Sequence, residues 1–101
     1  MSETQIKKKI KDLVVARGGY YAPIPQGAIG SKAGDPDMVI CYKGRFIGME
    51  GKTGVGKQRE LQKTRQRQIL AAGGYYILGR SAEEVAELMD TIDKECEIAH
   101  D

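Results

Sequence analysis

The chain has 101 residues, of which 41% are apolar and 30% charged, with a formal net charge of +2. That size and apolar share support one hydrophobic core, and they argue against multidomain machinery and against wholesale disorder. No run approaches the ~20 apolar residues of a membrane span and the first eleven residues are polar, so the expectation is a single domain over residues 1–101, cytoplasmic and with no membrane partner.

Ile6, Ile10, Leu13 and Val14 recur at helical spacing, and Ser2 with Gln5 forms a capping box, which predicts a first helix over 3–16 stopped by Gly18 and Gly19. A strand candidate at 20–24 leads into a Gly, Pro and Ser-rich loop over 25–34. The β-prone runs 38–42 and 45–52 flank Lys43-Gly44, the spacing of a hairpin with a two-residue turn. A glycine-rich link then enters a polar helix over 57–72, closed by Gly73 and Gly74. A strand at 75–78 follows. Ser81 and Glu84 make a second capping box, opening a helix striped by Val85, Leu88, Met89 and Ile92, and residues 93–101 read as a frayed acidic tail. The order αβββαβα predicts an α/β layered domain in which helices cover a sheet. Cys41 and Cys96 are far apart in sequence and read as reduced thiols.

Charge is unevenly distributed. Residues 43–67 carry eight bases against two acids, while residues 81–101 carry eight acids against one base. Such asymmetry suits a protein with one side facing a polyanion such as a nucleic-acid backbone, although solvated helix faces would show the same pattern.

The chemistry-bearing stretch runs from Gly34 to Lys52. Glu50 and Lys52 are two apart on one strand and project from the same face, and the hairpin folds Asp37 back beside them. Two carboxylates beside a lysine suit a hard divalent cation such as Mg2+ or Mn2+, which takes oxygen ligands and keeps positions for water and phosphate. With a metal as Lewis acid and an ammonium to stabilise developing charge, the chemistry is phosphodiester hydrolysis. The plain alternative is a surface ion pair of Glu50 with Lys52, and Asp35 and Asp37 as turn residues.

Gly34-Asp35-Pro36-Asp37, Gly44-Arg45-Phe46, Glu50-Gly51-Lys52, Leu61-Gln62 and Ala72-Gly73-Gly74-Tyr75-Tyr76 together resemble the stand-alone VRR-Nuc nucleases of the PD-(D/E)xK superfamily, found in phages and prophages. The resemblance spans Glu3 through the helix at Val85. It implies a restriction-endonuclease-like αβββαβ core with a C-terminal helix and a mixed sheet flanked by helices. It implies that Asp37 and Glu50 bind Mg2+ or Mn2+, that the Gly51 carbonyl contributes a ligand, that Lys52 is the catalytic lysine, and that Gln62 positions water or phosphate. Glu3 matches a helix glutamate that completes the acidic cluster, and it also shares the inward stripe of Ile6 and Ile10; its ordinary alternative is a favourable charge in a first helical turn. The resemblance further implies a homodimer acting on branched DNA such as four-way junctions, within a bacterial host cytoplasm if the gene is a phage's.

Lys57, Arg59 and Lys63, on and around the polar helix, are candidates for contacts to DNA backbone. Gly51 to Gln58 comes within one residue of a P-loop, but Gln58 stands where that motif needs a hydroxyl to hold Mg2+. A non-catalytic DNA-binding accessory module is the competing reading from another class.

Overall fold

The computed structural model describes residues 2–25, 27, 30, 32–52 and 58–99. Residues 53–56 of the expected glycine-rich link, Lys57 and His100 lie outside the described residues. Three helices and four strands alternate as α1 (Glu3–Ala16), β1 (Tyr20–Pro23), β2 (Met38–Tyr42), β3 (Arg45–Gly51), α2 (Glu60–Ala71), β4 (Tyr75–Gly79) and α3 (Ala82–Ala99), the order predicted from sequence.

Local chemistry sets most of these boundaries. Ser2 Oγ accepts the Gln5 amide N–H, and the Gln5 side chain accepts the Ser2 N–H, so the capping box satisfies donors that a helix start would otherwise leave bare. The β2–β3 hairpin turns on Lys43 at φ 50° and Gly44 at φ 78°, the pair of positive values that a two-residue turn between twisted strands requires. That turn fixes the register Met38↔Met49 through Tyr42↔Arg45.

β1, β2 and β3 pair antiparallel, and β4 joins β3 in parallel across the α2 crossover, giving a mixed sheet in the order β1-β2-β3-β4. Alternation divides the two faces. Met38, Ile40 and Tyr42 of β2 with Ile47 and Met49 of β3 bury against Ile6, Ile10 and Val14 of α1 and Val85, Met89 and Ile92 of α3. Each fully buried aliphatic side chain stabilises the fold by about 1.5–3 kcal/mol, so this layer carries most of the stability.

The other face is held differently. α2 rests its Ile69 over Gly48, where an added Cβ would stand 2.9 Å from Ile69 Cδ1, and the helix buries one residue, Gln62. A helix so polar is positioned by specific contacts at the sheet rather than by apolar area.

Several boundaries shift by one residue, with β3 ending at Gly51 just before Lys52, and two differ by more. α2 begins at Glu60, with Gln58 and Arg59 ahead of it in extended or irregular backbone. α3 continues through Ala99 rather than fraying after Asp93, because Asp93 is tied to Arg17, Tyr42 and Lys43, the Tyr75 hydroxyl meets Glu95, and Cys96 packs against the core. Tertiary contacts hold a turn that local charge repulsion would loosen. Among the described residues, no helix is long and apolar enough to cross a membrane.

Candidate active site

Continuing the Met38↔Met49 register by one residue sets Asp37 opposite Glu50 at the open end of the hairpin. Asp37 Oδ2 accepts the Gly51 N–H at 2.9 Å, which locks the loop before β2 to the last residue of β3. Gly34 makes the approach of that loop possible. Its φ is +85°, and an added Cβ would sit 2.5 Å from the Leu61 carbonyl, so only glycine lets this backbone lie against the start of α2. Asp35 takes the turn role allowed for it: it accepts the Lys32 N–H at 2.8 Å and lies 3.4 Å from Arg65 Nε.

Glu50 points from the centre of the sheet toward α2, and it is 5% exposed. Its Oε1 accepts from Gln62 Nε2 at 2.6 Å and stands 3.9 Å from Lys52 Nζ, while Oε2 is buried without a hydrogen-bond partner among the described residues. Burial first, and the neighbouring Asp37 charge second, push the Glu50 carboxyl up to about 7, against the opposing fields of Lys52 and Lys7. Gln62, 6% exposed, is no solvated helix glutamine. It accepts the Arg59 N–H at 2.8 Å while donating to Glu50, so one amide ties the entry of α2 to the carboxylate. Lys52 follows β3, with its N–H bonded to the Gly79 carbonyl and its side chain largely buried.

Asp37, Glu50, Lys52, Gln62, Arg59 and Glu3 all line one cleft of about 490 Å3. Glu3 is its outlying member, with a side chain 48% exposed and 4.0 Å from Lys7. Lys63 does not line the cleft but makes an exposed ion pair at 3.1 Å with Glu60, which does. The sequence reading passed over Lys7, whose ammonium stands 3.2 Å from Asp37 Oδ2. Its signal was present: Lys7 is four residues after Glu3 and adjoins the inward stripe of Ile6 and Ile10. Tyr76, pushed up by burial, has a hydroxyl buried on the same face of the sheet as Glu50.

Whether a divalent cation fits can be judged from the donors. Glu50, with one buried oxygen orphaned and its pKa raised by burial and then by a second carboxylate, is a group short of positive charge. Among the described residues no three His, Cys, Asp or Glu side chains gather as a ready cage. Two carboxylates with a backbone carbonyl and open positions for water and phosphate are the donor set Mg2+ accepts, and the residues fit it.

Fold and site together define a mixed-sheet α/β domain whose cleft, at the open end of a hairpin, brings Asp37 and Glu50 together with Lys52. Among solved structures, one titled "VRR_NUC domain" superposes with a TM-score of 0.73 at 21% identity, covering 87% of this chain and 94% of that one. Another, titled "VRR_NUC domain protein", does so at 0.68 and 18% identity, covering 93% and 87%. No family model and no curated protein matches the chain. The fold is that of a VRR_NUC domain, as the resemblance implied.

Proposed function

We propose that this protein is a divalent-metal-dependent DNA endonuclease of the stand-alone VRR-Nuc type. The observation that carries the reading is the convergence of Asp37, Glu50, Lys52 and Gln62, drawn from three segments of chain, on one cleft in which a buried Glu50 oxygen lacks a partner. Asp37, Glu50 and the Gly51 carbonyl would hold Mg2+ or Mn2+, with Glu3 at the periphery. When bound, the ion supplies Lewis acidity toward the scissile phosphate and its water.

The chain's own groups do the rest. Gln62 holds Glu50 Oε1, which fixes the carboxylate and leaves Oε2 as the oxygen without a partner. The Gly51 N–H holds Asp37 in the same way. Lys52, anchored at the strand end and shielded from bulk water, presents an ammonium that offsets charge building on the phosphate as its bond to the leaving oxygen breaks. Arg59 at the cleft rim, and Lys57 and Lys63 near it in sequence, meet the nucleic-acid backbone without reading bases.

Branched DNA such as a four-way junction is the proposed substrate class, and a homodimer the proposed form, because two such sites related by a two-fold axis can incise two strands. A P-loop role for Gly51–Gln58 gains no support from the sheet, in which β3 has one parallel neighbour and one antiparallel.

The test is cleavage of a labelled four-way junction and its linear arms in Mg2+, Mn2+ or EDTA, with Asp37→Ala and Lys52→Ala beside the parent. The reading expects cutting that needs metal and falls at least ~100-fold in both variants. Salt-sensitive DNA binding with no cutting under any condition would replace it with the accessory-module reading.

A further inference from the structure

Asp37 and Glu50, the two carboxylates proposed to hold the metal, each face a lysine, and the two lysines are mounted differently. Lys52 directly follows the strand that carries Glu50, and its ammonium stands 3.9 Å from that carboxylate. Lys7 comes from α1, crosses to the end of the sheet and stands 3.2 Å from Asp37 Oδ2, the oxygen that also accepts the Gly51 N–H.

Lys7 is not an ordinary surface ion pair. Its neighbour Lys8, paired with Asp12 on the same helix, has a side chain 76% exposed, whereas that of Lys7 is 32% exposed and its Asp37 partner's 13%. The aliphatic stem of Lys7 lies over Gly51, where an added Cβ would be 2.8 Å from Lys7 Cε and 3.2 Å from Cγ. A bare glycine at 51 leaves the floor open for the lysine to pass. Among the described residues, both bonds to Asp37 end on Oδ2, so Oδ1 is the oxygen left for a ligand.

We infer that Lys7 is the resident counter-cation of the metal site, a positioning residue that fixes Asp37 Oδ2 against Gly51 in the metal-free protein and tempers the site's affinity for a divalent cation. This inference rests on the metal-site reading above. Its physical content is a trade. A fixed positive charge beside Asp37 repels an incoming dication, which weakens binding. The same charge keeps the ligand preorganised and leaves the loaded cleft more positive toward a phosphodiester.

The trade separates this role from simple structural support, in which losing Lys7 would weaken metal binding and activity together. The experiment measures Mn2+ affinity by titration calorimetry and single-turnover cleavage at saturating Mn2+ for the parent, Lys7→Met and Lys7→Arg. Lys7→Met should bind Mn2+ about five- to tenfold more tightly while cutting ~10-fold more slowly, and Lys7→Arg should return both toward the parent. Unchanged or weaker Mn2+ binding in Lys7→Met overturns the inference while leaving a cutting parent, and so the nuclease reading, intact. A parent that binds no Mn2+ overturns the nuclease reading and the counter-cation role with it. Hydrogen exchange of the Gly51 amide in metal-free protein then reports on the clamp alone: faster exchange in Lys7→Met keeps the Asp37-fixing part, and an unchanged rate removes it.

Discussion

The β2–β3 hairpin has an acid at each end, and the two acids are treated oppositely by the fold. At the turn end, Asp93 of α3 receives the Tyr42 hydroxyl at 2.7 Å, Lys43 at 2.7 Å and Arg17 at 2.8 Å, while Arg17 also reaches Asp90 and the Ala86 carbonyl. Both cations lie over the Tyr42 ring as well. With Lys43 and Tyr42 holding its charged form, Asp93 sits below the usual carboxylate range. At the open end, Glu50 is buried with one oxygen unpartnered and sits near 7. Asp93 is supplied with donors from three side chains, whereas Glu50 is left short of a partner, the condition expected of a carboxylate that takes a ligand, as proposed for it above.

The largest test of this contrast is Glu50→Gln. The amide keeps an acceptor for Gln62 and removes the under-partnered charge, so cleavage should fall at least ~100-fold while the metal-free protein melts a few degrees higher. Junction cleavage with calorimetric unfolding checks both halves. A lower melting temperature would mean that Glu50 is a structural ion after all.

Asp93→Asn is the mirror experiment. It strips one charge from a shared cluster, so the melting temperature should drop by roughly 3–5 °C with cleavage per folded molecule unchanged. Reduced metal-saturated turnover in the folded variant would show that the two ends of the sheet communicate.

The subtlest effect is on pH dependence without metal. The folded Glu50 carboxyl, near 7, lies above its ordinary value of 4.5, so its contribution is fully present below about 4.5 and is lost as pH rises through about 7. Asp93, held below 3.8, contributes in the opposite sense: present above that value and lost as pH falls through its depressed one. Urea midpoints across pH 3 to 8 should therefore decline at both extremes. Glu50→Gln should flatten the neutral arm and Asp93→Asn the acid arm, and a neutral arm that survives Glu50→Gln belongs to some other group.

Much of the site was legible because it is local. The capping box at Ser2, the turn at Lys43-Gly44 and the alternation of β2 and β3 are short-range rules, and together they bring Asp37 beside Glu50 and leave Lys52 on the same side. Gln62 was legible only through resemblance, since nothing in a run of glutamines at 58, 62, 66 and 68 says which one turns inward. The place of Lys7 is not legible in the sequence, and residues 93–99 read there as a frayed tail where α3 in fact continues; both depend on which helix face meets which end of the sheet.

The sequence by itself determined the element order, the hairpin register and the pairing of two acids with a lysine, because turns, caps and strand alternation act over a few residues. Tertiary structure alone decided that Glu50 is buried and short a partner, that Lys7 clamps Asp37, and that Asp93 is saturated by Arg17, Tyr42 and Lys43. Those outcomes come from contacts between residues far apart in the chain, where burial and accumulated charge, rather than local geometry, set the energy of each carboxylate.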